Sequence, residues 1–310
     1  MWVNGLCPHG GLVYEPIESA KLNSMKKFNF LVAAALMLFA SCKKQDDGGL
    51  ATVRLHVNEF EISQEEFPTK SDPVGDYNGI NAITLAFYSG STEVTRITQL
   101  SADSTTFTTF GDFECSLPMG SYTMVVIAYT TRDGSPFVLT SSTQAAYTGA
   151  HAYETFVNTQ TVNVTNTDDL ALSATLNRIV PKLMVVSTDG KTANAANVRM
   201  TLSAGSRSFN PITGLATDNN GLVNTVGISA EVGATSNSQT CMFLFADEQT
   251  MTVTLDVLDA NGESISHKVV ENVPFQRNHV TKLTGSLYTA GAGSNFLIET
   301  GWGTQFNVNF

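Results

Sequence analysis

The sequence predicts an all-β protein, two tandem sandwich domains carried behind a short export segment, and three observations predict it. Beyond residue 50 apolar residues do not recur at helical spacing; short runs rich in Val, Thr, Phe and Tyr recur instead. Clusters of Gly, Asn, Asp and Pro separate those runs, as turns separate strands. Ahead of them stands one long apolar run, Phe30 to Ala40, of eleven residues. A helix that crosses a membrane needs roughly 20.

Lys26 and Lys27 precede that run and the small residues Ala40 and Ser41 close it, the order of an export signal over residues 25–41. Met25 then reads as the native start and residues 1–24 as an extension. Cys7 and His9 in that extension are two potential metal ligands with no further partner, too few for a site. Phe39-Ala40-Ser41-Cys42 resembles the lipobox of bacterial lipoproteins, with Phe39 where that motif usually has Leu. The resemblance implies cleavage before Cys42 and acylation of its new N-terminus. Residues 42–50 form a polar tether, and Asp46-Asp47 within it resembles the export tag of surface lipoproteins of Bacteroides-type bacteria. The chain beyond the tether is expected to hang from the outer face of the outer membrane, since several acyl chains at about 0.8 kcal/mol per buried CH₂ anchor without a spanning helix.

In the first half, strands are expected at ATVRLHVNEFEI, AITLAFYS, VTRITQL, TTFGDFECSL, YTMVVIAYT and ETFVNTQTVNV. Between the first two, EEFPTKSDPVGDYNG reads as an exposed polar loop that contains Lys70. Asn166-Thr167-Asp168-Asp169 reads as a polar turn near the boundary, so the first domain is expected over 51–175 and the second over 176–290. The second half offers IVPKLMVVST, VRMTLSAG, RSFNPIT, QTCMFLFA, MTVTLDVLDA, ESISHKVVENV and HVTKLTGSLYT. Asn261-Gly262 suits a tight type I′ hairpin. Residues 291–310 form a tail, freed by Gly291 and Gly293, with strands FLIET and QFNVNF. In the latter, Phe306, Val308 and Phe310 alternate with Asn307 and Asn309, which gives an extended strand one apolar and one polar face.

Charge and chemistry exclude several classes of function. The first 41 residues carry two acids and three bases, so the exported part has 26 acidic against 14 basic residues, a net charge of −12. Nucleic acid and anionic lipid surfaces are opposed by that charge. Cys115 and Cys241 fall in different halves and read as buried free thiols rather than a disulfide. No GxSxG, HExxH, CxxC or phosphate-binding glycine loop occurs. His56, His151, His267 and His279 lie far apart and read as surface histidines, and Asp218-Asn219-Asn220-Gly221 reads as a turn because the closing acid of a calcium loop is missing. No enzyme, cofactor or metal is therefore expected.

Two stretches carry a family resemblance. Ser116-Leu117-Pro118-Met119-Gly120-Ser121-Tyr122 resembles the strand entry of transthyretin-like sandwiches, where Gly supplies a positive φ and Tyr begins a core strand. Val273 to Tyr288 is similar to the closing strand of Bacteroidales fimbrillins, the type V pilus proteins, and Leu176 to Leu183 to the opening of their second domain. The resemblance implies two transthyretin-like β-sandwich domains and a surface lipoprotein of the fimbrium, subunit or anchor, active in cell adhesion. Its implied partners are other fimbrial subunits and host or bacterial surface ligands. It further implies proteolytic removal of an N-terminal strand after a basic residue, for which Lys70 suits better than Arg54. The tail strand either closes its own second domain or, in a polymer assembled by β-strand addition, fills a neighbouring subunit with Phe306, Val308 and Phe310 as the donated face. The competing expectation is a glycan-binding surface lipoprotein. Trp302 is the only tryptophan after the signal, so its sugar platform would rest on Tyr77, Tyr88, Tyr129 or Tyr147.

Overall fold

The computed structural model describes residues 49–62, 70–73, 79–103, 105–132, 136–150, 152–235, 239–291 and 295–301, and every regular element in them is a strand. Cys42, Tyr77, His151, Trp302, Phe306, Val308 and Phe310 lie outside the described residues. In chain order the first ten strands are β1 (Ala51–Ile62), β2 (Lys70–Pro73), β3 (Ala82–Ser89), β4 (Thr92–Leu100), β5 (Asp112–Leu117), β6 (Gly120–Tyr129), β7 (Phe137–Ser141), β8 (Gln144–Tyr147), β9 (Thr155–Val164) and β10 (Leu170–Arg178). The next nine are β11 (Lys182–Ser187), β12 (Asn197–Leu202), β13 (Ser208–Phe209), β14 (Leu222–Gly227), β15 (Gln239–Phe243), β16 (Gln249–Leu258), β17 (Ser264–Phe275), β18 (Val280–Gly285) and β19 (Leu297–Gly301).

The first sheet runs β2-β1-β10-β9-β6-β3-β4, with β5 also on β1. β10 and β9 meet at only two residue pairs, Asn177 with Val157 and Arg178 with Phe156. On either side of that corner the strands close over one apolar core, into which Leu55 of β1, Leu85 of β3, Leu117 of β5, Val126 of β6, Phe156 of β9 and Leu176 of β10 all project. Strict alternation explains which residues enter: in β1, Ala51, Val53, Leu55 and Val57 are buried while Arg54 and His56 face outward. A bulge between Val57 and Glu59 resets the alternation, and this turns Phe60 inward.

Beyond Arg178 the chain leaves this sheet, three residues past the 175/176 division expected from the sequence, because β10 still belongs to it. Two four-stranded sheets come next, β15-β11-β18-β19 and β14-β12-β16-β17, and they enclose a second core that includes Leu183, Met200, Val253, Leu255, Phe275 and Leu283. A three-stranded sheet, β13-β8-β7, joins early and late parts of the chain. Its aromatic residues form a third cluster with the outward side of β3, β6 and β9: Tyr129 stacks on Phe137 at 4.2 Å, and Phe209 meets Phe245 at 4.5 Å between ring centres. Gly49–Phe310 is one compact unit.

Two local expectations are corrected. Gly120 does not adopt a positive φ; its missing side chain instead makes room for the ring of Tyr122, whose hydroxyl oxygen would lie 3.0 Å from a Cβ there. That hydroxyl donates to the Pro118 carbonyl at 2.8 Å and so pins the corner between β5 and β6. Tyr122→Phe is expected to cost about 1 kcal/mol in urea unfolding, the net value of one such hydrogen bond. The β16–β17 turn is not type I′, because Asn261 keeps a negative φ and only Gly262 is left-handed, at 86°. Asp259 organises it, accepting from the amides of Asn261 and Glu263 at 2.8 and 2.9 Å. A longer turn closed by a left-handed glycine results.

Candidate functional site

β1 lies in a lane with both walls occupied. On one side β10 runs parallel to it from Val53 with Leu170 to Glu61 with Asn177. On the other side β5 pairs with Ala51 to His56 and β2 with Glu59 to Ile62, both antiparallel. Val53, Leu55, Val57 and Phe60 fill the floor of the lane, each 2% exposed or less. At about 1.5–3 kcal/mol for each fully buried large apolar side chain, the floor supplies most of the hold on β1.

The outward face of the lane is ionic. Arg54 donates through Nε to Glu114 of β5 at 2.8 Å and through Nη1 to Asp169, just ahead of β10, at 2.5 Å. His56 Nδ1 meets Asp112 of β5 at 2.5 Å. The pairing with Arg54 holds the Asp169 carboxyl below its ordinary range, and in return Asp169 and Glu114 raise the guanidinium. All these groups are exposed, where single ion pairs add little to stability. Cys115, between Asp112 and Leu117 on the same strand, is a free, half-buried thiol whose pKa burial and the Glu114 charge push up to about 11. It stays protonated at neutral pH and is a poor nucleophile.

Lys70 is the first residue of β2, paired with Ile62, where the sequence reads as a loop. Arg54 lies within a strand, as expected. At the far end of the described chain β19 takes up most of FLIET, antiparallel to β18, with Phe296 just ahead of it and Ile298 within it in the second core. That part of the tail closes its own sheet.

The turn after β18 is gathered around one side chain, Asp189. Its carboxylate accepts from the Ser187 hydroxyl at 2.6 Å, the Ser286 hydroxyl at 2.8 Å and the Leu287 and Thr289 amides at 2.7 Å each, with the Tyr288 amide between the two oxygens. Partial burial pushes this carboxyl upward, but the hydrogen bonds of Ser187, Thr289, Ser286 and Tyr288 outweigh it and hold the pKa far below the ordinary carboxylate range.

Three of the four tyrosines weighed as a sugar platform are core residues: Tyr88, Tyr129 and Tyr147 are all buried. Tyr147 packs against Phe137 and Phe245, and its hydroxyl pairs with Thr155 at 3.0 Å. An open polar cleft of about 370 Å³ does lie beside β8, lined by Gln144, Arg207, Asp218 and Asn220 among others, with Asp218 already engaged by the Ser208 hydroxyl at 3.0 Å. Among the described residues no three of His, Cys, Asp and Glu come together as metal ligands would.

Sequence reasoning missed Asp112, Glu114, Asp169 and Asp189. Cross-strand partners 56 to 115 residues away leave no local pattern. The one legible hint was Arg54, a lone basic residue inside an apolar alternation.

Residues 52–308, which take in the lane and both cores, match a family described as a family of unknown function (DUF6562). No curated protein matches the chain. Among solved structures, one described as a "putative adhesin" from Bacteroides ovatus has a TM-score of 0.50 at 10% identity, over 87% of this chain and 99% of that one. Another, described as "putative polysaccharide binding proteins" from Bacteroides thetaiotaomicron, has 0.47 at 14%, over 83% and 98%. The fimbrial anchor protein Mfa2 from Porphyromonas gingivalis has 0.46 at 12%, over 81% and 95%. At these identities the first likeness shows a shared all-β fold.

Proposed function

The chain belongs to the DUF6562 family, and from that premise we propose that it is a surface-exposed lipoprotein of cell adhesion, a fimbrial subunit or anchor that assembles by β-strand addition. The observation that carries this reading is the lane of β1: the first strand among the described residues, with both walls paired and an apolar floor, whose departure would leave a complete vacant lane for another chain. The two cores on either side of residues 179–181 support two transthyretin-like sandwich domains, with the aromatic cluster between them. In this reading Cys42 is acylated, other fimbrial subunits are the partners, and the role is not enzymatic. Cleavage after Lys70 would require β2 to peel from β1 first, a low cost for a four-residue strand with one neighbour.

Sheared surface material tests the assembly. The expected result is a ladder of mixed polymers in which this chain begins at Ser71, or, for an anchor, a single species that begins at acylated Cys42. A chain that starts at Cys42 without acyl groups, free in the medium, overturns the lipoprotein reading. For the tail, removal of 302–310 is the informative cut, since it spares Phe296 and Ile298 of the second core. The shortened protein is expected to keep its melting temperature and to lose entry into polymers; unchanged polymers would exclude Phe306, Val308 and Phe310 as the donated face.

A further inference from the structure

Resting on that reading, we propose that the β1 lane selects its occupant by charge: it takes an extended segment with apolar residues at alternate positions and basic residues between them, supplied by a protein other than a second copy of this chain. The walls of the lane carry three carboxylates, Asp112 and Glu114 on β5 and Asp169 at the start of β10. In the structure Arg54 spans from one wall to the other, with Glu114 at 2.8 Å and Asp169 at 2.5 Å, and His56 answers Asp112. A single guanidinium, with donors directed to both sides, can serve both walls at once.

An occupant with a neutral or acidic residue at that position leaves carboxylates on both walls unanswered, and an acidic one adds repulsion across strands. The floor holds apolar side chains of many sequences, so it sets affinity more than choice. The charged rim sets register as well, because a slip by two residues keeps the apolar face inward but moves the basic residue off its partners.

This chain's own tail does not meet the requirement. Residues 295–310 contain no Lys or Arg and one acid, Glu299, and the positions between Phe306, Val308 and Phe310 are Asn307 and Asn309. The exported chain is also strongly acidic, which slows the approach of one copy to another. A lane with acidic walls on an acidic protein suits a basic strand from a different subunit.

The test uses the full chain, folded, with a specific protease site inserted between Ile62 and Lys70 and cut afterwards. A labelled peptide of residues 49–62 is exchanged into the cut protein and challenged with unlabelled competitors. The Arg54→Glu peptide and a peptide of residues 295–310 are expected to compete about tenfold or more weakly than the native sequence, with the gap narrowing as salt is raised. In a chain with Glu114→Lys and Asp169→Lys the order of the two 49–62 peptides should reverse. Equal competition by native, Arg54→Glu and 295–310 peptides overturns charge selection while leaving strand exchange intact. Failure of the native peptide to enter, even in mild urea, overturns strand exchange and charge selection with it.

Discussion

Replacing Arg178 with alanine is expected to lower the stability of the chain by about 3–5 kcal/mol, the cost of removing one partner from a buried ion pair. Arg178 ends β10 with its side chain 4% exposed, and its Nη2 lies 2.7 Å from Glu154 Oε1, itself 13% exposed. The guanidinium also covers the Phe156 ring at 5.2 Å and reaches Asn278 Oδ1 at 3.5 Å. Those contacts tie the corner of the first sheet to the turn that leads into β18. Urea unfolding of Arg178→Ala, Glu154→Gln and the pair Arg178→Met with Glu154→Gln separates the contributions. The paired replacement is expected to recover most of the loss, since neither charge is then stranded. A loss below about 1 kcal/mol for Arg178→Ala would mean that water reaches Glu154 and that the pair behaves as a surface one.

The second large effect is expected at Asp189. Its replacement by alanine leaves the Leu287, Tyr288 and Thr289 amides and the Ser286 and Thr289 hydroxyls without their acceptor, a loss of about 3 kcal/mol at neutral pH given the cost of unpaired donors. The wild-type protein should show the same contribution fading with acid. An unfolded aspartate titrates near about 3.9, whereas the folded carboxyl lies well below. Between those values the unfolded state binds the proton, so stability falls as pH drops through and below about 4 and is complete above it. Stability measured from pH 6 to pH 2 should fall less steeply in Asp189→Asn than in the wild type. Parallel curves would show that other carboxylates dominate the acid limb.

Much of the first sheet was legible. The limits of ATVRLHVNEFEI and AITLAFYS coincide with β1 and β3, because a long alternation or a mostly apolar run bounded by turns leaves little choice. β10 was legible too, with Leu170, Leu172, Ala174 and Leu176 in period two, but the boundary drawn at 175/176 cuts the strand three residues before its end. β14 was hidden by Asn224, a buried polar residue on the inward face where alternation calls for an apolar one. β7 and β8 are four or five residues long and gain their stability from β13, which arrives more than 60 residues later. Lys70 stands in a similar position: β2 is a strand only because β1 is there to pair with it. At the site, alternation foretold the floor of the lane, while its rim depends on tertiary neighbours.

The pairing of β1 also sets an order of events as the chain folds. Its long neighbours are β5, which begins 50 residues after β1 ends, and β10, which begins 108 residues after. Pairings of such sequence separation make folding slow, because the loop must be closed before any contact repays it. β1, the earliest of the described strands, is therefore among the last to be seated. For that interval the partly assembled sheet presents a long apolar trough and unpaired strand edges, the features that make folding intermediates aggregate. Refolding followed by a probe on β1 should lag behind one on the β3–β4 hairpin, and the lag measures how long the trough stands open to any other strand in reach.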